Sequence, residues 1–366
     1  MLAIEKARRH STKGEKVLFL CFNRLLRDKL VANYKENEDF NYRKQFSNVE
    51  FFTISALAYK ITGKPNDFSN LLSYLLDCID KKQELGFQHI IIDEGQDFGL
   101  IDAESGNEVG SSSDNISIID YLQEVAFANG GTFYLFYDKY QMIQGNNNIS
   151  YKLPDCISNS DCRLTLHKNC RNTIEIAKTS TTPLKNNKGK SVNFLFGSNY
   201  IASLKPELYI VDSPEFVKET LDKILEKYRK LKIDDVVLLS QNILNYSSIY
   251  HYLTHKNSDN GYEYYQYKDK EYKVTTCKKF KGLEADAIIF LDLRKDSFSG
   301  QRGLEFYVGS SRAKYFLDLI CILKDSEFGE VINSIDSKVP TKNRNTKAMK
   351  SFISQLLKVN VKAFDS

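Results

Sequence analysis

The sequence predicts an α/β protein built on parallel sheets, from three observations. Short apolar runs of strand length recur, among them VLFLCF at 17–22, HIIID at 89–93, DVVLLS at 235–240 and ADAIIFLDL at 285–293. Runs that are apolar on both faces belong to strands buried within a parallel sheet. Segments of helical periodicity separate them, which is the strand–helix alternation of α/β proteins. Finally, the run Ile90 to Ile92 ends abruptly in Asp93 and Glu94, followed by Gln96 and Asp97. Ligands of such sheets bind where polar groups gather at the carboxyl ends of strands.

In chain order, residues 1–10 have helical propensity, with Leu2, Ile4 and Ala7 among charges. The strand 16–22 turns into an amphipathic helix over 23–34, and VEFFTIS at 49–55 opens onto the helical ALAYKIT at 56–62. A helix at 68–82 precedes HIIID, a helix at 116–129 follows it, and GTFYLFY at 131–137 is a further buried strand ending at Asp138. GNEVGSSSDN at 106–115 reads as a surface loop. After a boundary placed at 152–163, a second unit contains RLTLHKNCRNTIEIAK and a helix at 214–231. It continues with the strand 235–240, a helix near 243–254, the strand region 272–276, the strand 285–293 and a helix plus strand over 304–323. The tail carries one amphipathic stretch, MKSFISQLLKV, at 349–359.

Length and composition bound the class. A chain of 366 residues holds two ordinary domains, and 27% charged with 42% hydrophobic residues is the balance of a globular protein. No apolar run is long enough to span a bilayer, and the charged start IEKARRH is unlike a secretory signal. A net charge of +4 gives no overall basic field, so any nucleic-acid binding must come from a local groove. The seven cysteines are dispersed without a CxxC pair, as expected of reduced thiols in a cytoplasmic protein. His251 and His255 stand at i, i+4, but no third metal ligand lies nearby in sequence, so a solvated helix face is the expected reading.

Five stretches carry the chemistry. In QHIIIDEGQDF, one carboxylate at a strand end suits Mg²⁺ and the next can polarise an attacking water, the arrangement of a magnesium–nucleotide site. In YDKYQMI, Asp138 ends a strand and Gln141 follows three residues on, placed to reach a phosphate or a water, although an ordinary polar turn has the same pattern. Arg171 in HKNCRNTIEIA can clamp phosphate oxygens with paired donors. In TTCKKFKGLEADAII, Gly282 permits close backbone approach and Glu284 can accept from a sugar hydroxyl. In YVGSSRAKYFLDLI, Ser310, Ser311 and Arg312 are expected to open a helix and expose the arginine.

The order of these stretches resembles that of the UvrD/Rep-type superfamily 1 helicases, in particular the compact forms attached to nuclease-related domains. IIIDEGQD looks like their Walker B motif, YDKYQ like motif III, NCRN like motif IV, TTCKKFKGLE like motif V and YVGSSRAK like motif VI. LFLCFNRLL and FFTISALA look like motifs Ia and Ib, and the likeness runs from residue 1 to about Leu323. The resemblance implies two RecA-like parallel-sheet domains of the P-loop NTPase fold, over 1–155 and 156–325, with a tail at 326–366. It implies ATP and Mg²⁺ as cofactors, with Asp93 holding Mg²⁺, Glu94 as catalytic base and Gln141 sensing the γ-phosphate. Gln96 and Asp97 complete the Walker B stretch. Arg171 and Arg312 become arginine fingers reaching from the second domain, and Gly282 and Glu284 meet phosphate and ribose. Single-stranded DNA, or RNA, would run over Phe22, Asn23, Thr53, Ser55, Thr276 and Lys278; core packing accounts for Phe22 equally well.

The chain departs from that family in one decisive place. No GxxGxGK[ST] string occurs among its 18 glycines, and the helix that follows this loop in the family corresponds to MLAIEKARR. The first domain is therefore expected to lack its N-terminal strand and P-loop. That loop supplies backbone donors, a phosphate-binding lysine and a Mg²⁺ ligand, so this chain alone is expected to bind ATP weakly and hydrolyse it negligibly. A fragment of a longer helicase, a separate upstream polypeptide carrying the loop, and an inactive module that binds single strands or a protein partner all satisfy the pattern. Lys278 stands where larger members have histidine, and the short intervals 62–87 and 242–274 leave little room for accessory domains.

Overall fold

In a computed structural model, the residues described are 2–96, 118–138, 141, 162, 164–166, 168–185, 195–196, 204–254 and 261–363. The chain divides into two compact units, Met1–Thr165 and Leu166–Ser366.

The first unit is built on a four-stranded parallel sheet of order β2-β1-β3-β4, formed by β1 (Val17–Cys21), β2 (Val49–Thr53), β3 (His89–Asp93) and β4 (Phe133–Leu135). Side chains alternate along each strand, so Leu18, Leu20, Ile90 and Ile92 share one face. They form a core with α4 (Ile54–Thr62), α5 (Phe68–Ile79) and α6 (Ile118–Ala128), through Leu57, Leu71, Leu75, Leu122 and Val125. The strands also lead directly into helices. Asn23 caps α2 (Arg24–Leu30), accepting from the Leu26 amide at 2.7 Å, and Thr53 caps α4, accepting from the Ala56 amide at 3.1 Å. α1 (Leu2–Ser11) buries Ala3 and Ala7, and α3 (Phe40–Lys44) precedes β2. Because Cys21 pairs in register with both Thr53 and Asp93, the carboxyl ends of three strands fall level. That levelling brings the residues that follow these strands to one edge of the sheet.

The second unit holds an eight-stranded sheet of order β14-β7-β13-β12-β8-β11-β10-β9. Its strands are β7 (Glu207–Val211), β8 (Val236–Ser240), β9 (Leu253–Thr254), β10 (Glu263–Tyr267), β11 (Lys270–Thr276), β12 (Ala285–Leu293), β13 (Ala313–Ile322) and β14 (Asn360–Ala363). β5 (Lys168–Asn169) pairs separately with β6 (Leu195–Phe196). Amphipathic α8 (Glu215–Lys230) covers one face of the large sheet with Val217, Leu221, Ile224 and Tyr228 against Leu238, Ile289 and Ile320. α7 (Ile174–Ser180), α9 (Gly300–Ser310), α10 (Phe328–Ile335) and α11 (Thr346–Leu357) complete the unit. Segment 326–366 supplies two of these helices and the edge strand β14, which pairs parallel to β7.

A part-buried ion pair ties α8 to the sheet. Lys227 Nζ lies 2.6 Å from Asp318 on β13 and 3.0 Å from Glu207 on β7. Burial pushes the Asp318 carboxyl up, against the pull of Lys227 downward. Lys227→Met is expected to destabilise the protein by about 2 kcal/mol at pH 7, less than a fully buried pair would lose because the lysine is a third exposed. A carboxyl with a raised folded pKa contributes stability below its unfolded value and loses it as pH rises through the folded one. The variant's deficit should therefore shrink as pH is lowered from 7 towards about 4.5. Urea titrations at the two pH values check this, and equal deficits would refute it.

Three expectations are corrected. The second sheet is mixed, because β10 and β11 form an antiparallel hairpin closed at Lys268, which adopts φ 52°. Residues 243–254 are not a helix but two 3₁₀ turns, Leu244–Tyr246 and Tyr250–Tyr252, followed by β9. The cause is Asp292, which lies buried at the end of β12 and accepts from Ser247 Oγ at 2.7 Å and from Ser248 N at 2.9 Å, drawing that chain into a loop. Lastly, Ser310 and Ser311 close a helix instead of opening one, and Arg312 is fully buried. The loop expected at 106–115, His255 and Cys156 lie outside the described residues, as does nearly all of the boundary expected at 152–163. Among the described residues, Cys21, Cys78, Cys162, Cys170, Cys277 and Cys321 form no disulfide. No helix among them is long and apolar enough to cross a membrane.

Candidate functional site

The carboxyl end of β3 is the first site. Ile92 is buried and Asp93 half-buried, and Glu94 then adopts φ 57°, a left-handed conformation that costs a non-glycine residue about 1–2 kcal/mol. Strain of this kind persists only where the surroundings impose it. Here Gly95 imposes it. Its amide donates to Phe136 O at 2.9 Å, and an added Cβ would lie 2.3 Å from Leu135 Cδ1, so the chain after β3 is pressed against the end of β4. Glu94 N donates to Asp93 Oδ1 at 3.1 Å.

Gln96 is the hinge pin of the array. Fully buried, it donates to Glu94 Oε2 at 2.6 Å and accepts from the Asp138 amide at 3.0 Å. Gln141 in turn donates from Nε2 to Asp138 Oδ2 at 2.9 Å. Asp93, Glu94, Gln96, Asp138 and Gln141 thus form a single array, although more than forty positions separate its two halves in sequence. Gln96 braces the array from inside. Asp97 lies outside the described residues.

Along the same edge, Phe22 packs half-buried against the core, while the side-chain oxygens of Asn23 and Thr53 cap helices; Ser55 is half-buried in the first turn of α4. Burial, with Asp93 nearby, pushes the Cys21 thiol well up, so this cysteine is inert packing.

In the second unit the expected residues fall at two opposite ends of the sheet. Glu284 precedes β12 and Arg312 precedes β13, both at the amino edge. Asn172 donates to Ser311 O at 2.8 Å and to Ala313 O at 2.6 Å, so the NCRN stretch docks onto the SSRA stretch. Asn169 Oδ1 accepts from the Arg171 amide at 3.0 Å, which shapes the turn. Arg171 Nε then lies 3.3 Å from Glu284 and is substantially exposed, and an exposed pair of this kind contributes at most about 1 kcal/mol. Its guanidinium is therefore easily released to a ligand. Arg312 is held differently: its Nε donates to Val308 O at 3.1 Å within the core. Gly282, at φ 82°, sits in the turn leading to Glu284.

Thr276 and Lys278 occupy the carboxyl edge of the same sheet, lining a cavity of about 610 Å³. Between them Cys277 points inward, its thiol pushed up to about 12 by burial and by Glu305. Lys278 Nζ lies 3.2 Å from Glu305, and Arg294 and Arg302 add two further cations to the lining. Arg302 reaches Gln241 Oε1 at 3.1 Å and Asn242 Oδ1 at 3.3 Å. Tyr246, 77% exposed, and Ile243, 68% exposed, stand at the rim as an apolar platform. Sequence reasoning missed Asn242, Tyr246, Arg294 and Arg302. The available signal was position, since QNILNY follows the strand 236–240 directly; nothing in the spacing marks the two arginines.

No protein-family model matches the chain, and no curated protein matches it. Among solved structures it is similar to the PRRSV helicase, at 9% identity and TM-score 0.38, covering 84% of this chain and 47% of that one. It is similar also to an arterivirus nonstructural protein 10 helicase, at 9% identity and TM-score 0.36, over 86% of this chain and 56% of that one. A third is the DEAD-box helicase Mss116 bound to ssRNA and UDP-BeF, at 12% identity and TM-score 0.39, over 93% and 67%. The chain thus spans about half the length of the two viral proteins. In its own right it is an α/β protein with one parallel and one mixed sheet.

Proposed function

We propose that this chain is the core of a helicase-type nucleic-acid translocase of the UvrD/Rep kind. The first unit would carry the magnesium–nucleotide carboxylates and the second a groove for single-stranded nucleic acid. The observation that supports this most is the array from Asp93 to Gln141, in which Gln96 hydrogen-bonds both the second carboxylate and the Asp138 turn. In this reading Asp93 is the Mg²⁺ ligand, usually through water, and Glu94 is the base that takes the proton of the attacking water. Gln141 links the occupancy of that site to β4. Arg171, Glu284 and Gly282 serve phosphate and ribose, and the buried Arg312 positions the NCRN stretch rather than reaching for a ligand on its own.

The groove fits a single strand. Lys278, Arg294 and Arg302 match phosphates, and Tyr246 offers the face on which a base stacks. Since all of its lining belongs to the second unit, binding without turnover is a second reading, namely a helicase-like module that holds nucleic acid independently of nucleotide. Both readings are tested on the purified chain with labelled 20-nucleotide DNA and RNA single strands and a fluorescent ATP analogue. Analogue binding by this chain should be weak, and Asp93→Asn should abolish its Mg²⁺ dependence while leaving strand binding intact. Lys278→Ala should weaken the strand complex and reduce the slope of log K against log salt by about 0.7, one released counterion on a single strand. Analogue binding that ignores Asp93→Asn would refute the nucleotide assignment, and an unchanged salt slope would refute the groove.

A further inference from the structure

The cavity at the carboxyl edge of the second sheet is lined by three cations, Lys278, Arg294 and Arg302, and by a single acid, Glu305. Glu305 is 6% exposed, and its position is rigid. It lies on α9 one turn after Arg302, and residues three apart share a face of a helix. Gln241 Nε2 donates to Arg302 O at 2.8 Å, which ties that face to the end of β8. Next to Glu305, Phe306 stacks on Phe290 of β12 with ring centroids 6.0 Å apart. A Cβ on Gly309 would lie 2.6 Å from the same Phe290 ring, so α9 sits close against the sheet.

A carboxylate taken out of water needs several donors, because its two oxygens accept at about four positions. Among the described residues Glu305 faces one cation, with Lys278 Nζ 3.2 Å from Oε1. That lysine is nearly half exposed and is shared with the groove. The other close neighbour is Cys277, whose thiol burial and Glu305 keep protonated, and a thiol is a weak donor. Most of the acceptor capacity of Glu305 is therefore open to the cavity it lines. A phosphate cannot fill it, since both groups are anions. What fits is a hydrogen-bond donor carried by the nucleotide.

The chemistry of a polynucleotide narrows the donor. Lysine has three N–H groups, so Lys278 can hold Glu305 and a phosphate oxygen together. The donor nearest a phosphate is the 2′-hydroxyl of ribose, on the carbon next to the one that bears the 3′-phosphate. Amino groups of bases lie beyond the glycosidic bond, towards the Tyr246 face on which a base stacks.

We propose that Glu305 accepts a hydrogen bond from a ribose 2′-hydroxyl and makes the groove selective for RNA over DNA single strands. The proposal rests on the reading of this cavity as a strand groove. The 2′-hydroxyl is the group by which proteins tell the two polymers apart. With deoxyribose the carboxylate stands beside a phosphate with no donor between them, so the same side chain favours RNA and penalises DNA.

The test measures anisotropy of labelled oligo-uridine strands of one length and one salt concentration on the full chain, with ribose, deoxyribose or 2′-O-methyl ribose. The ribose strand should bind about tenfold more tightly than the deoxyribose strand, the size of one hydrogen bond to a charged group. The 2′-O-methyl strand keeps the oxygen without its proton and should bind no better than deoxyribose. Glu305→Ala should weaken the ribose complex and tighten the deoxyribose one, bringing their ratio to about one, with a thermal melt to show that the variant is folded. The three strands on the unaltered chain decide the matter even if it is not. Equal binding of ribose and deoxyribose strands, or a ratio that Glu305→Ala leaves unchanged, overturns the proposal. So does a preference for deoxycytidine over deoxyuridine strands without one for ribose, which would assign Glu305 to a base amine. Failure of every strand to bind would overturn the groove itself, an outcome distinct from the loss of selectivity alone.

Discussion

Asp292→Ala is expected to destabilise the second unit by about 3 kcal/mol and, on the function proposed above, to abolish single-strand binding, because one buried carboxylate shapes the loop that bears Tyr246. Asp292 is fully buried and accepts from Ser240 Oγ at 2.6 Å, Ser247 Oγ at 2.7 Å, Ser248 N at 2.9 Å and Ser248 Oγ at 2.6 Å. Truncation leaves those donors without their acceptor and places alanine at φ 63°, a left-handed conformation that costs about 1–2 kcal/mol by itself. Asparagine retains an acceptor oxygen and tolerates that conformation, so Asp292→Asn should lose only about 1 kcal/mol. Urea unfolding of the two variants, with strand anisotropy on each, checks the prediction. Equal losses would mean that the carboxylate does not order the loop.

The second large effect falls in the first unit. Gly131→Ala should cost about 3–4 kcal/mol, since its Cβ would stand 1.6 Å from Gln88 O and 2.6 Å from Gln88 C. Both are backbone atoms, so no side-chain rotation relieves the overlap. The chain entering β4 would have to move away from β3, and with it the Phe136–Gly95 contact that holds Glu94. The neighbouring Gly130 provides the control: it has φ 66° but open space where a methyl would stand, so Gly130→Ala should cost only about 1 kcal/mol. Thermal melts of both variants discriminate. Similar midpoints would show that the turn before β4 yields more easily than its packing implies.

Much of the first unit was legible in the sequence because its two central strands are short, largely apolar runs bounded by polar residues. VLFLC and HIIID read as buried strands and are the two central ones, whereas the helix-capping role of Asn23 and Thr53, expected as strand-contact residues, came from the structure. The acidic pair at the end of β3 was legible for the same reason: two carboxylates following three isoleucines mark where the buried run stops. What failed was reading that depended on a distant partner. NILNYSSIYHYL has helical spacing, but Asp292, over forty residues away, claims its serines. SSRA looked like an exposed helix start, yet Asn172 and the end of α9 enclose it, and Arg312 is buried.

Local sequence determined which residues end strands and cap helices, since a polar side chain at the edge of an apolar run has only local amides or water to satisfy it. The order of the motifs likewise fixed the expectation of a helicase-like core. Only the tertiary structure decided that Gln96 braces the acids from inside and that Arg302 and Tyr246 line one cavity. Those pairings span tens of residues and depend on strand register, which sets positions to within one residue along the sheet. No sequence interval encodes such a distance until the sheet has formed.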